Sequence, residues 1–500
     1  MNLKVKNKSG ITLVALIITI VVMLILVAVS INILVNSNLI GHAEKTGDAY
    51  SGAIKNEENL GNDGITINGQ KYATIDDYIN HNPMSTIKIN MEVTHEDTAV
   101  TADGTNIKSI EHGVPIPVGY SYVTGEKNTG VVIQDDTTSD QFVWVPVLQN
   151  QKIKIEIEAK EEITEIKIED SLGTLITKNS ENNDITVSGK TNTSIINPTT
   201  NGEYTVTVKT ASDEASKTLY VKSLYAQDIT SMRDMYLAVI KKQAKEQNIN
   251  EDEAAKAITG GQCNTVEELI TTIKQMMQQY TDSDIATHKD SVNKYGGFYI
   301  ARYEAGSENQ RTSSSGTGDA VLSQANKYPY NYIKQTESIT KAATMNKGKT
   351  NVTASLINSA VWDRTLNWLE ETNAVTRAEL FDSTSWGNYR NSKFNFIGKY
   401  STDDEDNFTE TTASTQKSEN KSYLLGTGVT DYTKKNNIYD LAGNCWEWTT
   451  ESVSSSDRVC RGGSYLGDGF VSPAYNRDNF FSADDSYRSV SFRSALYVSL

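Results

Sequence analysis

The chain has 500 residues, of which 38% are hydrophobic and 22% are charged, a composition that excludes both a polytopic membrane protein and wholesale disorder. Because this length exceeds what one hydrophobic core organises, the sequence predicts about three domains. The formal net charge of −16 excludes nucleic acid as a partner, since phosphate backbones attract basic surfaces. The three cysteines are too few for a disulfide framework, so folding must depend on packed cores.

A long uncharged segment lies near the N-terminus. No charged residue occurs between Lys8 and Glu44, and an apolar run covers residues 11–35. At 1.5 Å per residue this run can cross a hydrocarbon layer about 30 Å thick as a helix. The lysines on its amino-terminal side predict a cytoplasmic N-terminus and an exported remainder, which places most of the chain at the cell surface. An export signal cleaved after Ser30 is the alternative.

Residues 8–14 read Lys-Ser-Gly-Ile-Thr-Leu-Val and resemble the leader of type IV prepilins. In that family a peptidase cuts after the glycine, so the resemblance implies a leader over 1–10, cleavage between Gly10 and Ile11, and a pilin-like transmembrane helix with its extension over 11–62. Ala15 replaces the family's usual glutamate. Polymerisation with other pilin subunits therefore stays open, and a plain membrane anchor is the alternative.

The rest of the chain divides by its hydrophobic pattern. Residues 63–109 are predicted to form a connector, and residues 110–150 carry strand patterns that end in a buried aromatic run. Isoleucines alternating with charged residues predict an immunoglobulin-like β-sandwich over 151–225. Helical spacing predicts a helical insertion over 226–290, and aromatic strand character returns over 291–500.

Two helical patterns have specific interpretations. Met276 and Met277 lie on the apolar face of the helical insertion and are interpreted as core rather than as a binding groove. Trp362, Leu366 and Leu369 follow the i, i+4, i+7 spacing of an amphipathic helix.

Three blocks near the C-terminus carry a second resemblance. Residues 438–449 read Ile-Tyr-Asp-Leu-Ala-Gly-Asn-Cys-Trp-Glu-Trp-Thr, residues 458–465 read Arg-Val-Cys-Arg-Gly-Gly-Ser-Tyr, and residues 491–497 read Ser-Phe-Arg-Ser-Ala-Leu-Tyr. In this order they resemble the formylglycine-generating-enzyme-like (sulfatase-modifying factor) superfamily, which has a variant of the C-type-lectin fold. The resemblance covers residues 110–147 and 293–500. It implies an α+β protein with a lectin-like domain that the sandwich and the helical insertion interrupt.

The catalytic residues of that superfamily are missing. Its oxidase binds copper through two cysteines after the Gly-Gly-Ser block, and Gly467 and Ser472 occupy those positions. Related iron enzymes need three histidines, and no pair among the five histidines has the spacing of metal ligands on a helix. We therefore expect neither copper nor iron and no catalysis; an exported oxidoreductase of the formylglycine-generating type is the alternative.

The superfamily also implies a structural calcium ion held by two side chains and two backbone carbonyls. Carried over by position, the ligands are Asp440, Gly443, Cys445 and Glu447. Carboxylates and carbonyl oxygens suit this hard cation. Alternatively, Asp440 caps a turn while Glu447 pairs with an arginine such as Arg461 or Arg493.

The resemblance brings the blocks that contain Cys445 and Cys460 close together. A disulfide between these cysteines would close a loop of about 15 residues and stabilise the fold by about 3 kcal/mol. Alternatively, the two residues are small buried hydrophobes with free thiols.

The segment between Gly463 and Phe492 combines aromatic side chains with asparagine and aspartate, as antibody paratopes do. In lectin-fold proteins diversified by retroelements, the variable positions fall in this stretch. Composition and resemblance together predict a ligand-binding face formed by Tyr465, Asp468, Phe470, Tyr475, Asn476, Asp478, Asn479, Phe480, Asp484, Asp485 and Tyr487. Alternatively, Tyr465 and Phe481 fill the core beneath the loops.

These features predict a surface-displayed, pilin-like binding protein of the adhesin or receptor type. The N-terminal helix would hold it in the membrane while the C-terminal face contacts an extracellular protein or glycan. No sugar-binding tripeptide of the true C-type lectins occurs, which favours a protein ligand. A purely structural minor pilin is the remaining alternative.

Overall fold

The computed structural model of the protein describes residues 65–67, 70–72, 86–93, 100–148, 151–228, 230–314, 319–402 and 407–500. The predicted leader, its cleavage position between Gly10 and Ile11, and the predicted pilin-like helix over 11–62 lie outside these residues.

The described residues form short strands along most of the chain. In the first half they are β1 (Ile65–Ile67), β2 (Gln70–Tyr72), β3 (Thr86–Val93), β4 (Ile107–Glu111), β5 (Val114–Pro117), β6 (Tyr120–Thr124), β7 (Val132–Asp135), β8 (Gln141–Pro146), β9 (Gln151–Glu158), β10 (Glu165–Glu169), β11 (Thr191–Ile196), β12 (Gly202–Lys209) and β13 (Glu214–Val221). In the second half they are β14 (Gly297–Ala301), β15 (Gly306–Ser307), β16 (Tyr328–Pro329), β17 (Val352–Leu356), β18 (Phe394–Thr402), β19 (Thr409–Lys417), β20 (Tyr423–Leu425), β21 (Trp446–Ser452), β22 (Asp457–Arg461), β23 (Arg477–Ser482), β24 (Val490–Phe492) and β25 (Ser494–Val498).

The helices fall in two groups, one on each side of β14. They are α1 (Thr230–Gln247), α2 (Glu251–Ile258), α3 (Val266–Met277), α4 (Asp284–Tyr295), α5 (Gln335–Ala343), α6 (Ser359–Glu371) and α7 (Arg377–Phe381).

The predicted fold class was wrong. Strands make up 34% and helices 22%, so the protein is mainly β rather than an α+β protein with an N-terminal transmembrane helix. Among the described residues no helix combines the length and the apolar character needed to cross a membrane. The strand content was underestimated because many strands of the C-terminal half have only two to five residues. Such strands are too short to show an alternating pattern.

The six-stranded sheet has the order β17-β25-β14-β8-β7-β6. Its centre pairs β8 with β14 in antiparallel fashion, with Trp144 opposite Tyr299. Both aromatic side chains are buried, and their rings meet edge to face with centroids 4.9 Å apart. The sheet therefore joins chain segments from both sides of residues 151–290.

The sandwich consists of two three-stranded sheets, β10-β12-β13 and β11-β9-β3. Ile87 and Ile89 of β3 face its core, while Lys88 and Asn90 are exposed. This corrects the predicted boundary, which assigned residues 63–109 to a connector. The segment 86–93 itself alternates with period two and pairs along its whole length with β9.

The helices α1 to α4 share a hydrophobic core with the six-stranded sheet. Met232 and Ile240 of α1 belong to the same buried cluster as Val143 of β8 and Phe298 of β14. Trp362 of α6 completes this cluster and donates a hydrogen bond from Nε1 to the Ala474 carbonyl at 2.9 Å. The helical segment is therefore packed against the C-terminal part of the chain.

A four-stranded sheet with the order β23-β22-β21-β24 carries the C-terminal blocks. β22 and β23 are antiparallel, and the loop of residues 462–476 connects them. This loop and β23 contain most of the predicted ligand-binding residues.

Candidate functional site

The predicted ligand-binding residues divide into three groups according to their burial. Tyr465, Asp468 and Tyr475 are buried; Phe470, Asn476, Asp478 and Asn479 are half-buried around a cavity; Asp484, Asp485 and Tyr487 lie in a turn after β23. Phe480 belongs to β23, and its side chain lies outside the part of the structure that is described.

The buried group does not form a surface, which corrects the prediction for three residues. Tyr465 has no exposed area, and its hydroxyl accepts a hydrogen bond from Arg488 at 2.9 Å. Tyr475 is 1% exposed and its hydroxyl donates to Asn367. Asp468 is buried and pairs with Arg390. Sequence composition missed this because tyrosine and aspartate also serve as buried, hydrogen-bonded residues.

The second group lines a cavity of about 80 Å³. Phe470, Asn476, Asp478 and Asn479 contribute partly exposed side chains from the loop and from β23. The opposite wall comes from the helical segment, and its residues are Met232, Met235, Tyr236, Val239, Met276 and Tyr280. These helix residues are at most 8% exposed. The helices therefore form the floor, and the C-terminal residues form the mouth.

Two glycines hold the loop in place. Gly463 has a left-handed backbone with φ of +77°, and a Cβ there would lie 2.1 Å from the Ser472 carbonyl oxygen. Gly469 lies against the backbone of Thr384, where a Cβ would approach the amide nitrogen to 2.4 Å. The Gly469 carbonyl accepts a hydrogen bond from Ser383 at 2.9 Å. These close approaches fix the position of the neighbouring Phe470.

Phe470 also contacts the helical segment through a cation–π interaction. Lys242 of α1 is exposed, and its Nζ lies 3.7 Å from the centroid of the Phe470 ring. Such contacts contribute about 0.5–1 kcal/mol at exposed sites. The ammonium group therefore orients the ring at the mouth of the cavity.

The charge of Arg477, at the base of the mouth, is compensated. Its guanidinium donates hydrogen bonds to Asp363 and Glu451, and all three side chains are buried. Burial lowers the pKa of Arg477, but the two carboxylates outweigh burial and raise it above its ordinary value. Burial also raises the pKa of Tyr236 in the cavity wall to about 12. Tyr236 is therefore uncharged at ordinary pH.

The third group forms a more polar turn. Asp484 is exposed and pairs with Lys334 at 3.2 Å. Asp485 accepts a hydrogen bond from the Ser482 amide at 2.8 Å. Tyr487 is 47% exposed, with its ring 5.6 Å from that of Phe481. Phe481 also packs edge to face on the buried Trp448, so it connects Tyr487 of the turn to the hydrophobic core.

Both carboxylates that were predicted to bind calcium, Asp440 and Glu447, have hydrogen-bond partners within the protein. Both oxygens of Glu447 accept hydrogen bonds from Arg493, whose positive charge occupies that side of the cluster. Asp440 accepts hydrogen bonds from the Thr433 hydroxyl at 2.7 Å and the Gly428 amide at 2.8 Å. Within the described ranges no group of three or more His, Cys, Asp or Glu side chains could hold a metal ion.

Cys445 and Cys460 are buried free thiols, so the predicted disulfide is absent. In the pairing of β21 with β22, Cys460 lies opposite Trp448, three residues along the strand from Cys445. Three residues of strand span about 10 Å, whereas bridged cysteines have Cα atoms within about 7 Å of each other.

Sequence reasoning missed the helical wall of the cavity. Met276 was interpreted as a core residue of the helical insertion, and its burial agrees with that interpretation. The role of Met276, Met232 and Tyr236 in the cavity wall depends on their proximity to residues 470–479, which lie about two hundred positions further along the chain. No local pattern could have indicated this contact.

No protein-family model matches the chain, and no curated protein matches it. Among solved structures the chain resembles the Treponema denticola variable protein 1, with 13% sequence identity and a TM-score of 0.20. The alignment covers 40% of this chain and 95% of that chain. A TM-score this low does not establish a common fold. The resemblances to prepilins and to the formylglycine-generating-enzyme-like superfamily stay predictions from sequence.

Proposed function

We propose that the protein is a non-catalytic binding protein whose ligand contacts the mouth of the cavity at Phe470, Asn476, Asp478 and Asn479. One observation carries this proposal: these four side chains, which belong to the ligand-binding face predicted from composition and resemblance together, line the same cavity and are partly exposed. Aromatic and amide side chains in such a position provide contact area and adaptable hydrogen bonds.

The acidic turn adds a second segment to this proposal. Asp484 and Tyr487 are exposed after the end of β23, and Asp485 lies beside them in the chain, so the turn offers carboxylate and aromatic groups to a macromolecular ligand. A protein is the ligand that we propose. The location at the cell surface stays a prediction from the sequence, and antibody labelling of intact cells checks it.

Peptide selection tests the proposal. The full chain is immobilised and exposed to a phage library of random peptides and, separately, to a glycan array. We expect saturable binding of selected peptides that falls at least about tenfold, or 1.4 kcal/mol, in the Asn476→Ala/Asn479→Ala variant. Asn183→Ala, an exposed position of the sandwich, is the matched control and should leave binding unchanged. Absence of saturable binding in both screens, or equal binding by all variants, would overturn the proposal.

The absence of catalysis needs its own test. Gly467 and Ser472 stand where the superfamily's oxidase has copper-binding cysteines. We expect the purified protein to consume no oxygen with a cysteine-containing peptide, whether or not copper is added. Turnover that follows enzyme concentration would make the protein an oxidoreductase.

A further inference from the structure

The side chain of Lys417 places a cation inside the C-terminal part of the chain. Lys417 is the last residue of β19 and has no exposed area. Its Nζ donates hydrogen bonds to the backbone carbonyls of Tyr389 at 2.6 Å, Ser392 at 2.8 Å and Arg390 at 3.3 Å. An ammonium group has three N–H donors and no acceptor, so these three carbonyls use its full hydrogen-bonding capacity.

Lys417 has no counterion beside it. Among the residues that the structure describes, no carboxylate forms an ion pair with its ammonium group. Burial lowers the pKa of Lys417 to about 8, although Glu419 opposes the shift. A buried charge without a counterion is unfavourable, and an apolar side chain of similar size usually stabilises such a position at least as well. The presence of a lysine is therefore better explained by the three carbonyls than by the stability of the fold.

The three carbonyls belong to one turn, residues 389–392. The Ser392 amide closes this turn with a hydrogen bond to the Tyr389 carbonyl at 3.1 Å. Carbonyl oxygens that converge on one point can replace the hydration shell of a monovalent cation. The ammonium group of Lys417 thus occupies the position of a bound cation, and its removal would leave three buried carbonyls without a donor.

The turn of residues 389–392 contacts the loop that carries the mouth of the cavity. The Arg390 amide donates to the Gly467 carbonyl at 2.8 Å, and the Arg390 guanidinium pairs with Asp468 at 3.1 Å. The Gly469 amide donates to the Asn391 side chain at 3.1 Å. These contacts cover three consecutive residues immediately before the aromatic residue of the mouth.

We propose that Lys417 is a positioning residue of the binding site: its ammonium group holds the turn of residues 389–392 as a bound cation would, and that turn holds Phe470 at the mouth. This inference rests on the proposed function, because it assigns a further residue to the same site. Since Lys417 has no exposed area, it acts through the turn and does not touch the ligand.

Removing the ammonium group tests this. Peptides selected on the full chain from the random library are assayed against Lys417→Met, which keeps a long side chain without donors, and against Lys421→Met at an exposed position. Binding is measured well below the thermal unfolding midpoint of each variant. We expect at least about tenfold weaker binding for Lys417→Met and an unchanged affinity for Lys421→Met.

The outcomes separate the two proposals. If Asn476→Ala/Asn479→Ala weakens binding and Lys417→Met does not, the positioning role is refuted while the proposed function stands. If no peptide binds the parent chain, both proposals fail.

Chemical rescue distinguishes the charge from the volume of the side chain. Lys417→Ala removes the atoms of a propylammonium ion, so this ion can re-enter the position, whereas 1-propanol fills nearly the same space without a charge. We expect propylammonium to restore at least about threefold of the lost affinity and 1-propanol to restore none. Equal rescue by the two compounds, or rescue by neither, would overturn the role of the ammonium group.

The link between the turn and the loop gives an independent result should the Lys417 variants fail to fold. Asn391 is half-buried, and Asn391→Ala removes the acceptor of the Gly469 amide. We expect at least about threefold weaker binding and faster hydrogen exchange over residues 466–470. Combined with Lys417→Met, Asn391→Ala should weaken binding little further, because both changes act on the same path. Unchanged affinity in Asn391→Ala, or effects that multiply in the combined variant, would refute the path through the turn.

Discussion

Arg493 binds both carboxylate oxygens of Glu447, with Nη2 2.6 Å from Oε1 and Nε 2.9 Å from Oε2. Both side chains are fully buried. The remaining donors of the guanidinium go to the carbonyls of Ala301 and Tyr439, each at 2.9 Å. The ion pair thus connects β14, β21 and the residue that follows β24, and it stands where the sequence suggested calcium.

We expect Glu447→Gln to lower the free energy of unfolding by about 3–5 kcal/mol, because it removes the hydrogen-bonded counterion of the buried Arg493. Urea titration followed by tryptophan fluorescence measures this. Glu214→Gln is the control: its carboxylate faces Lys209 across 3.8 Å at the surface, where a pair contributes at most about 1 kcal/mol. A similar loss of unfolding free energy in the two variants would contradict the larger contribution that we expect from the buried pair.

Addition of calcium should leave the thermal stability of the protein unchanged. Arg493 supplies the positive charge beside Glu447, and the Thr433 hydroxyl and the Gly428 amide donate hydrogen bonds to the oxygens of Asp440, so both predicted carboxylate ligands already have partners within the protein. We expect the same thermal unfolding midpoint with calcium and with a chelator. A midpoint that rises with calcium in the parent but not in Asp440→Asn would restore the calcium site.

The cysteines offer a chemical test of the C-terminal packing. Burial raises the pKa of the Cys445 and Cys460 thiols well above their usual range, so neither forms a reactive thiolate in the folded protein. We expect the native protein to resist thiol reagents at both positions. In denaturant without reductant, three thiols per chain should react, since all three cysteines are free. Detection of a single reactive thiol would instead indicate the Cys445–Cys460 bridge.

The parts of this fold that sequence could predict are those that local pattern determines. The helix around Trp362 follows from its spacing, and Trp362, Leu366 and Leu369 are all fully buried in α6. Composition also identified four residues at the mouth of the cavity. It could not separate them from Tyr465 and Tyr475, because the burial of those tyrosines depends on contacts with distant segments.

Glu451 should make stability depend on pH. Burial raises its pKa from 4.5 to about 7, although Arg477 and Arg461 oppose the shift. At pH values between 4.5 and about 7, Glu451 keeps its proton in the folded state but has lost it in the unfolded state. The contribution of Glu451 to the free energy of unfolding therefore falls as the pH rises through this range. We therefore expect Glu451→Gln to gain stability relative to the parent as pH rises from 4.5 to about 7, and the gain to level off above it. Denaturant titrations at several pH values measure the difference. A difference independent of pH would contradict the shifted pKa, and Glu181→Gln at an exposed position is the control.

The pairing of β3 with β9 predicts that residues before the sandwich stabilise it. Ile89 of β3 is 5% exposed and lies opposite Ile155 in the core of the sandwich, whereas its neighbour Lys88 is exposed. We expect Ile89→Ala to lower the free energy of unfolding by about 2–5 kcal/mol through lost burial and a residual cavity. Lys88→Ala, one residue away on the other face of the same strand, should change the free energy of unfolding by less than about 0.5 kcal/mol.

The sandwich has a hydrophobic core of its own, so hydrogen exchange of the β9 and β12 amides measures its stability separately from that of the remaining chain. Equal exchange rates in the two variants would show that β3 does not belong to the sandwich.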